Sequence, residues 1–186
     1  MGILNITPDS FSDGGNYNNV DDALRRAETM IQAGATWLDI GGESTRPGAQ
    51  AVAEAEELDR VIPVLEAIKQ RLDVKVSVDT VKPAVMSAAI ETGVDMINDV
   101  NALREPGAIE VVAASDVEVC LMHMQGEPRT MQHDPRYEDV ICEVKTFLED
   151  SIHQCAKGGI DGHRIWLDPG FGFGKSQRHN YQMLQR

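Results

Sequence analysis

The sequence predicts an α/β fold, a (β/α)₈ (TIM) barrel of which about six βα units are present. Helical stretches alternate with short apolar stretches typical of strands along all 186 residues. No linker or shift in composition interrupts this alternation, which indicates one domain over residues 1–186. Each apolar stretch ends at a polar residue. This even spread is typical of a barrel rim, whereas an open doubly wound sheet gathers polar residues mainly at one switch point.

The first half of the chain is expected to begin with a strand and to continue as three helix–strand pairs. Strands are predicted at residues 3–6, 37–40, 74–78 and 96–99, and helices at residues 20–33, 54–70 and 83–92. Apolar residues recur at helical spacing before Gly34, which is a natural helix stop. Pro83 suits a first helical turn, whereas Pro63 should kink the second helix or mark a later start.

The second half repeats the same pattern. We predict a helix through residues 111–112, a strand at 117–122, a helix at 137–157, a strand at 165–167 and the beginning of a sixth helix. Strands this short and apolar should be parallel and buried on both faces. Because a barrel has eight strands in about 250 residues, we expect the chain to be a barrel truncated at both ends that lacks the last two strands.

Composition and charge restrict the class of protein. The net charge of -13 opposes binding to nucleic acid or to an anionic membrane surface. No apolar stretch approaches the roughly 20 residues of a membrane-spanning helix, and the start of the chain has no signal-peptide layout. Three cysteines without a Cys-x-x-Cys pair indicate reduced thiols. We therefore expect a cytoplasmic protein that binds neither nucleic acid nor membranes.

Two loops that follow predicted strands carry candidate binding residues. The loop at residues 7–15 is small, polar and rich in glycine, and it holds Phe11 as an apolar contact. The loop at residues 41–48 holds Arg46 beside the hydroxyl of Thr45, a pair suited to phosphate or carboxylate. The alternatives are a plain surface connection for the first loop and a solvated arginine for the second.

Polar residues at the strand ends form a second candidate site. These residues are Asn5, Asp39, Asp79, Asn98, His123 and Asp168. Asp79, Asn98 and Asp168 should converge in the barrel mouth, where carboxylates and an amide suit the N–H-rich edge of a heterocycle such as an aminopyrimidinone. A buried carboxylate needs such donors, or its pKa rises. The alternative is a polar network within the barrel core.

The remaining candidates are a metal ligand and an apolar wall. Asn5 can offer one oxygen to Mg²⁺ whose other ligands are diphosphate and water, while the histidines show no zinc spacing. Residues 168–175 are rich in glycine but fit neither the Walker nor the dinucleotide spacing. Phe173 in this segment forms an aromatic wall or packs the rim, and Met122 is a possible pocket wall.

Six segments resemble the signatures of dihydropteroate synthases, in the order of that family. They are residues 4–15 (LNITPDSFSDGG), 39–48 (DIGGESTRPG), 77–80 (SVDT), 97–99 (IND), 122–126 (MHMQG) and 168–175 (DPGFGFGK). The resemblance implies a transferase of folate biosynthesis that condenses 6-hydroxymethyl-7,8-dihydropterin diphosphate with p-aminobenzoate to give 7,8-dihydropteroate and diphosphate. It further implies Mg²⁺ as cofactor, a homodimer when full length, and sulfonamides as mimics of p-aminobenzoate.

The resemblance also assigns roles to individual residues. Asp79, Asn98 and Asp168 would hold the pterin ring, and Asn5 would contact Mg²⁺. Thr45, Arg46 and Pro47 would belong to the loop that closes over diphosphate and p-aminobenzoate, and Phe11 and Phe173 would line that site. Thr45, Arg46 and Asp79 would be the catalytic residues.

The sequence departs from the family in that it lacks two motifs of its relatives. Relatives carry Ser-Arg-Lys near the seventh strand and Arg-x-His near the eighth, and we expect the chain without them to fold poorly or to be nearly inactive. One alternative is an inactive, truncated pterin-binding fragment. The other is a related methyltetrahydrofolate-binding methyltransferase barrel, against which the segments at residues 4–15 and 168–175 argue.

Overall fold

The computed structural model describes residues 1–6, 16–44, 51–127 and 130–185, and of residues 16–19 it describes the backbone alone. Six parallel strands form one sheet in the order β1-β2-β3-β4-β5-β6. The strands are β1 (Gly2–Asn5), β2 (Trp37–Gly41), β3 (Lys75–Asp79), β4 (Met96–Asp99), β5 (Glu118–Met122) and β6 (Ile165–Asp168). Each strand pairs with its neighbour in sequence, without the reversal of order that defines an open doubly wound sheet. The predicted barrel topology is therefore confirmed for these six strands.

Helices connect the strands and cover one face of the sheet. They are α1 (Asn16–Gln32), α2 (Glu54–Arg71), α3 (Pro83–Glu91), α4 (Ala108–Ala113), α5 (Val140–Lys157) and α6 (Gln177–Leu184). The main core lies between the sheet and the helices and includes Leu38, Ile40 and Val78 from the strands and Leu65 and Met86 from the helices. In the described ranges no helix is long and apolar enough to cross a membrane.

Two helix starts show how local chemistry sets the boundaries. The predicted start of α2 at residue 54 is confirmed, and of the two expectations for Pro63 the later start is wrong, since the helix begins at Glu54 and continues through Pro63. The fifth helix begins at Val140 rather than at residue 137. The carboxylate of Asp139 caps it by accepting hydrogen bonds from the backbone N–H groups of Ile141 (3.0 Å) and Cys142 (3.2 Å).

The outer strands of the sheet carry exposed apolar side chains. On β1, Ile3 is 63% exposed, and on β6 Trp166 and Leu167 are 55% and 48% exposed. Each of these strands has one partner in the described part of the chain. An exposed apolar edge is the kind of surface that another strand covers.

Candidate functional site

One row of the sheet brings three predicted site residues together. Asn5 is in register with Gly41, Gly41 with Asp79, and Asp79 with Asn98. Because in-register residues of parallel strands point to the same face, these side chains share one face at the carboxyl ends of β1 to β4. Gly41 leaves room between its neighbours: a Cβ atom there would lie 3.3 Å from Asn5 Oδ1 and 3.8 Å from Asp79 Oδ2. The two oxygens therefore flank the same gap.

Asp39 lies two residues below this row and orients Asn98. Its Oδ1 accepts a hydrogen bond from Ser77 Oγ (2.6 Å), and its Oδ2 accepts one from Asn98 Nδ2 (3.2 Å). Burial raises the pKa of Asp39, although the hydrogen bonds from Ser77 and Asn98 oppose that shift. With its nitrogen engaged, Asn98 has its carbonyl oxygen left as an acceptor. The polar network within the barrel core, which was the alternative to a binding site, is therefore present. It contacts Asn98 from the buried side and leaves the carbonyl oxygen of that residue available.

Asp79 lies in an acidic environment. Burial raises its pKa well above the ordinary value, and the nearby carboxylates of Asp39, Asp99, Glu57 and Glu43 raise it further. Among the residues that the structure describes, no lysine or arginine forms an ion pair with Asp79. A ligand that brings N–H donors or positive charge would therefore stabilise the ionised form of this carboxylate.

Cys120 continues the row beyond Asn98. Burial raises the pKa of this thiol to about 12, and the carboxylates of Asp168, Asp39, Asp79 and Asp99 act in the same direction. A thiol that stays protonated is a poor nucleophile. Cys120 therefore belongs to the wall of the site.

Asp168 ends the sixth strand, in register with Met122. Its Oδ1 accepts a hydrogen bond from the backbone N–H of Gly170 (2.7 Å), which fixes the carboxylate at the start of the loop formed by residues 168–175. We name this segment the β6 loop. Asp168 and Asn98 thus both lie at the carboxyl edge of the sheet, on strands separated by β5.

Met122 and Phe173 belong to one apolar cluster. Buried Val100, Met122, Met124 and Met131 form it, and Phe173 and Val81 pack against it. This cluster gives the rim near β4 to β6 an apolar wall beside the polar row. Methionine adapts readily to flat ligands and makes favourable contacts with aromatic rings.

An ion-pair cluster holds the beginning of the loop that follows β2. Lys82, just before α3, forms ion pairs with Glu43 of that loop and with Glu57 of α2. Burial alone would lower the pKa of Lys82, but the two carboxylates outweigh it and raise the pKa. Arg60 donates a hydrogen bond to the carbonyl oxygen of Gly42 (2.8 Å). The loop is therefore tied to two helices before it reaches residue 45.

Glu57 was not foreseen from the sequence. Its side chain is 1% exposed, and Oε1 has no hydrogen-bond partner in the described part of the chain. A signal was present, because Glu57 precedes Val61, Val64 and Ile68 on the apolar stripe of α2. A charged residue on a buried stripe indicates an internal partner, and here that partner is Lys82.

Four predicted site residues lie outside the described residues, namely Phe11, Thr45, Arg46 and Pro47. The roles predicted for them remain predictions. Of the others, Asn5, Asp79 and Asn98 share one row, Asp168 lies at the same edge, and Met122 and Phe173 share the apolar cluster.

The fold is a partial (β/α)₈ barrel with polar side chains at its carboxyl edge, and comparison with known families gives the class of protein. Residues 1–186 match the family described as "Pterin binding enzyme", and the chain belongs to that family. Among individual proteins, the dihydropteroate synthase of Escherichia coli strain K12 is 55% identical over 186 residues. The alignment covers 100% of this chain and 66% of the relative, so the chain spans less than two thirds of that relative's length.

Solved structures give the same result. The dihydropteroate synthase of Yersinia pestis, in complex with a sulfonamide drug, superposes with a TM-score of 0.93 at 56% identity and covers 100% of this chain and 67% of its own. The enzyme of Xanthomonas albilineans with 4-aminobenzoic acid gives a TM-score of 0.92 at 52% identity, covering 100% and 66%. The family and the partial barrel predicted from the sequence are confirmed. These relatives favour the synthase over the methyltransferase interpretation.

Proposed function

We propose that the chain supplies the pterin-binding part of a dihydropteroate synthase. The enzyme would condense 6-hydroxymethyl-7,8-dihydropterin diphosphate with p-aminobenzoate to give 7,8-dihydropteroate and diphosphate. The observation that carries this proposal is the row of Asn5, Asp79 and Asn98, in which a half-buried carboxylate without an ion-pair partner among the described residues lies beside an oriented amide.

The geometry of this row supports the proposed recognition of the pterin ring. The aminopyrimidinone edge of a pterin presents N–H donors, and the carboxylates of Asp79 and Asp168 and the carbonyl oxygen of Asn98 are acceptors. Hydrogen bonds to a charged acceptor are stronger than those between neutral groups. Binding would also relieve the cost of keeping Asp79 ionised in its acidic surroundings.

The site for p-aminobenzoate is proposed beside the apolar cluster. Phe173 and Met122 would contact the ring, and the ligand of the Xanthomonas albilineans structure supports this choice of substrate. By resemblance, Phe11 and Pro47 would complete the wall, and Thr45 and Arg46 would bind the anionic groups. The Glu43–Lys82–Glu57 cluster anchors the loop that carries Thr45, Arg46 and Pro47.

Asn5 is proposed as a ligand of Mg²⁺. Its Oδ1 borders the gap at Gly41, and Mg²⁺ prefers oxygen ligands while keeping several bound waters. The described residues contain no group of three or more His, Cys, Asp or Glu side chains that could hold a metal. One protein oxygen therefore fits an ion bound mainly by the diphosphate. When bound, Mg²⁺ would neutralise charge on the leaving diphosphate.

The proposed reaction is dissociative. The bond between the exocyclic methylene carbon and the diphosphate oxygen breaks first, and both electrons leave with diphosphate. The amine of p-aminobenzoate then donates its lone pair to that carbon and loses one proton to solvent. Asp79 would stabilise the positive charge spread over the pterin, and Arg46 would stabilise the departing anion. Closure of the loop that carries Thr45 and Arg46 would exclude water until the new C–N bond has formed.

We propose that the chain alone binds pterin but turns over slowly. The exposed apolar side chains of Ile3, Trp166 and Leu167 support this. They lie on β1 and β6, each of which has one strand partner among the described residues, and exposed apolar edge strands favour association between molecules over a stable, closed site. A homodimer, as expected for the full-length enzyme, is proposed by resemblance. A cytoplasmic location is proposed because the three cysteines indicate reduced thiols. The net charge of -13 supports the absence of nucleic-acid and membrane partners.

The test measures pterin binding and product formation separately. Titration calorimetry of the purified chain with 6-hydroxymethyl-7,8-dihydropterin diphosphate and Mg²⁺ gives the affinity, and mass spectrometry after addition of p-aminobenzoate detects dihydropteroate. We expect Asp79→Asn to weaken binding about tenfold or more, since it removes a charged acceptor. Exposed Asp150→Asn on α5 is the matched control. A folded wild-type chain that binds no pterin, or an Asp79→Asn variant that binds as wild type does, would refute the proposal.

A further inference from the structure

Lys175 is a buried lysine whose donors all point into the protein. Only 2% of the surface of Lys175 is exposed. Nζ lies 2.9 Å from the carbonyl oxygen of Gly170, 3.0 Å from that of Phe173 and 3.2 Å from that of His123, and 2.8 Å from His123 Nδ1. An ammonium group has three N–H donors, so four acceptors engage them fully. Lysine is rarely buried without such partners.

The β6 loop packs directly onto backbone that follows β5. Gly170 and Gly174 have positive φ angles of 69° and 62°. A Cβ atom at Gly170 would lie 2.0 Å from the carbonyl oxygen of His123, and one at Gly174 would lie 2.5 Å from that of Gln125. Backbone packed this closely excludes water from the carbonyls between the two segments, which then need internal donors. Lys175 supplies those donors.

Hydrogen bonds connect Lys175 to the two residues of the loop that we propose to contact ligands, Asp168 and Phe173. The carbonyl oxygen of Gly170 accepts from Lys175, while the N–H of the same residue donates to Asp168 Oδ1 at 2.7 Å. The carbonyl oxygen of Phe173 also accepts from Lys175, and the side chain of Phe173 packs against the cluster that contains Met122. One ammonium group therefore holds the backbone of Phe173 and that of Gly170, whose N–H group positions the carboxylate of Asp168.

We propose that Lys175 is a positioning residue that fastens the β6 loop to the end of β5 and thereby holds Asp168 and Phe173 in the orientation that pterin binding requires. The inference rests on the proposed function, because it concerns the same site. Lys175 contacts no ligand in this scheme. It acts through Gly170 and through the backbone of Phe173.

His123 provides two of the acceptors that hold Lys175, its ring Nδ1 and its carbonyl oxygen. Because Nδ1 faces an ammonium donor, it must be unprotonated, and the ring proton lies on Nε2. The ring is held edge-on to Phe147 at 4.9 Å between centroids. The pKa of His123 is lowered to about 4, mainly by burial, and the charges of Lys175 and Arg104 act in the same direction. Burial lowers the pKa of Lys175 to about 8, opposed by Asp168, so the ammonium form prevails at neutral pH.

The test compares pterin affinity with protection of the loop. Titration calorimetry with 6-hydroxymethyl-7,8-dihydropterin diphosphate gives the affinity, and hydrogen exchange at the amides of Gly170 and Phe173 reports whether the loop is fastened. We expect Lys175→Met to weaken affinity about tenfold or more and to accelerate exchange. Lys175→Arg keeps the charge but changes the donor geometry, so partial recovery of both is expected. Exposed Lys157→Met on α5 is the matched control.

Loop protection and affinity must change together in every folded variant. A variant whose loop exchanges faster but binds pterin as tightly as wild type would overturn the inference and leave the proposed function standing. If Lys175→Met does not fold, Lys175→Arg supplies the same comparison.

Absence of pterin binding by the folded wild-type chain would refute the proposed function instead. The contact between Lys175 and His123 is then tested by the ¹⁵N spectrum of His123. An unprotonated Nδ1 that changes its protonation pattern in the Lys175 variants supports it, and a protonated Nδ1 in the wild type overturns it.

Discussion

The side-chain amide of Asn98 on β4 donates a hydrogen bond to Asp39 on β2, 3.2 Å away, across the intervening strand β3. Ser77 on β3 donates to the other oxygen of the same carboxylate. Asp39 thus connects three strands beneath the mouth of the barrel and fixes the amide that we propose to contact the pterin. Buried Asp39 therefore sets the orientation of the Asn98 side chain at the surface of the site.

Replacing Asp39 should impair both stability and binding. We expect Asp39→Ala to lower the free energy of unfolding by about 1–3 kcal/mol, because Ser77 and Asn98 lose a buried acceptor. Pterin affinity should fall as well, since the Asn98 amide is then free to rotate. Urea unfolding and calorimetry measure the two effects, with exposed Asp150→Ala as the control. Unchanged affinity in a folded Asp39→Ala variant would argue against the orienting role.

Removing Lys82 should be costly unless Glu57 is removed with it. Lys82→Met leaves Glu57, only 1% exposed, as an uncompensated buried charge. We expect a loss of about 3 kcal/mol, the low end for a broken buried pair, because Lys82 keeps some contact with water. The double variant Lys82→Met with Glu57→Met should recover most of that loss. A double-mutant cycle by urea unfolding measures the coupling. Additive effects of the two changes would contradict it.

Acid should destabilise the protein through His123. Its pKa is about 4 in the folded chain against an ordinary value of 6.5. Between these two values the unfolded chain binds a proton that the folded chain does not, so this contribution to stability is lost as pH falls from 6.5 towards 4. His123→Asn keeps an acceptor near the position of Nδ1 but does not titrate. The stability difference between wild type and variant should change over this pH range and be constant above it, as measured by chemical denaturation.

Two glycines of the β6 loop give a matched comparison. Gly170→Ala places a Cβ atom 2.0 Å from the backbone oxygen of His123, whereas Gly172→Ala meets nothing within 4 Å. Both residues have positive φ, so both substitutions carry a conformational cost of about 1–2 kcal/mol. Only Gly170→Ala should in addition displace the loop and weaken pterin binding. Thermal unfolding and calorimetry of the two variants test this, and equal losses in both would contradict it.

The fold and the polar row were accessible from the sequence because they depend on local pattern. Helical periodicity before Gly34 and the short apolar stretches before Asp79 and Asp168 predicted elements that the structure contains. The position of Asn98 at the end of a strand was also sufficient to predict that it lies at the carboxyl edge of the sheet.

The contacts of Lys175 and Glu57 were not accessible in this way. Lys175 reaches His123, which lies 52 positions earlier in the chain, and Glu57 reaches Lys82, 25 positions later. Such pairs depend on which helices and loops the topology brings side by side, and no periodicity encodes them. The start of α5 at Val140 was missed for a different reason, because the apolar pattern extends upstream of the residue that caps the helix.

The sequential order of the strands has a consequence for synthesis on the ribosome. Each strand of the sheet pairs with the one made just before it, so the sheet can grow by one unit at a time as the chain emerges. The acceptors proposed for the pterin come from β3, β4 and β6, while Asn5 stands on β1. A nascent chain would therefore contain the proposed metal ligand first and gain the last of the proposed pterin-binding carboxylates with the sixth strand. Ligand binding would then become possible late in synthesis, after the first five strands have been made.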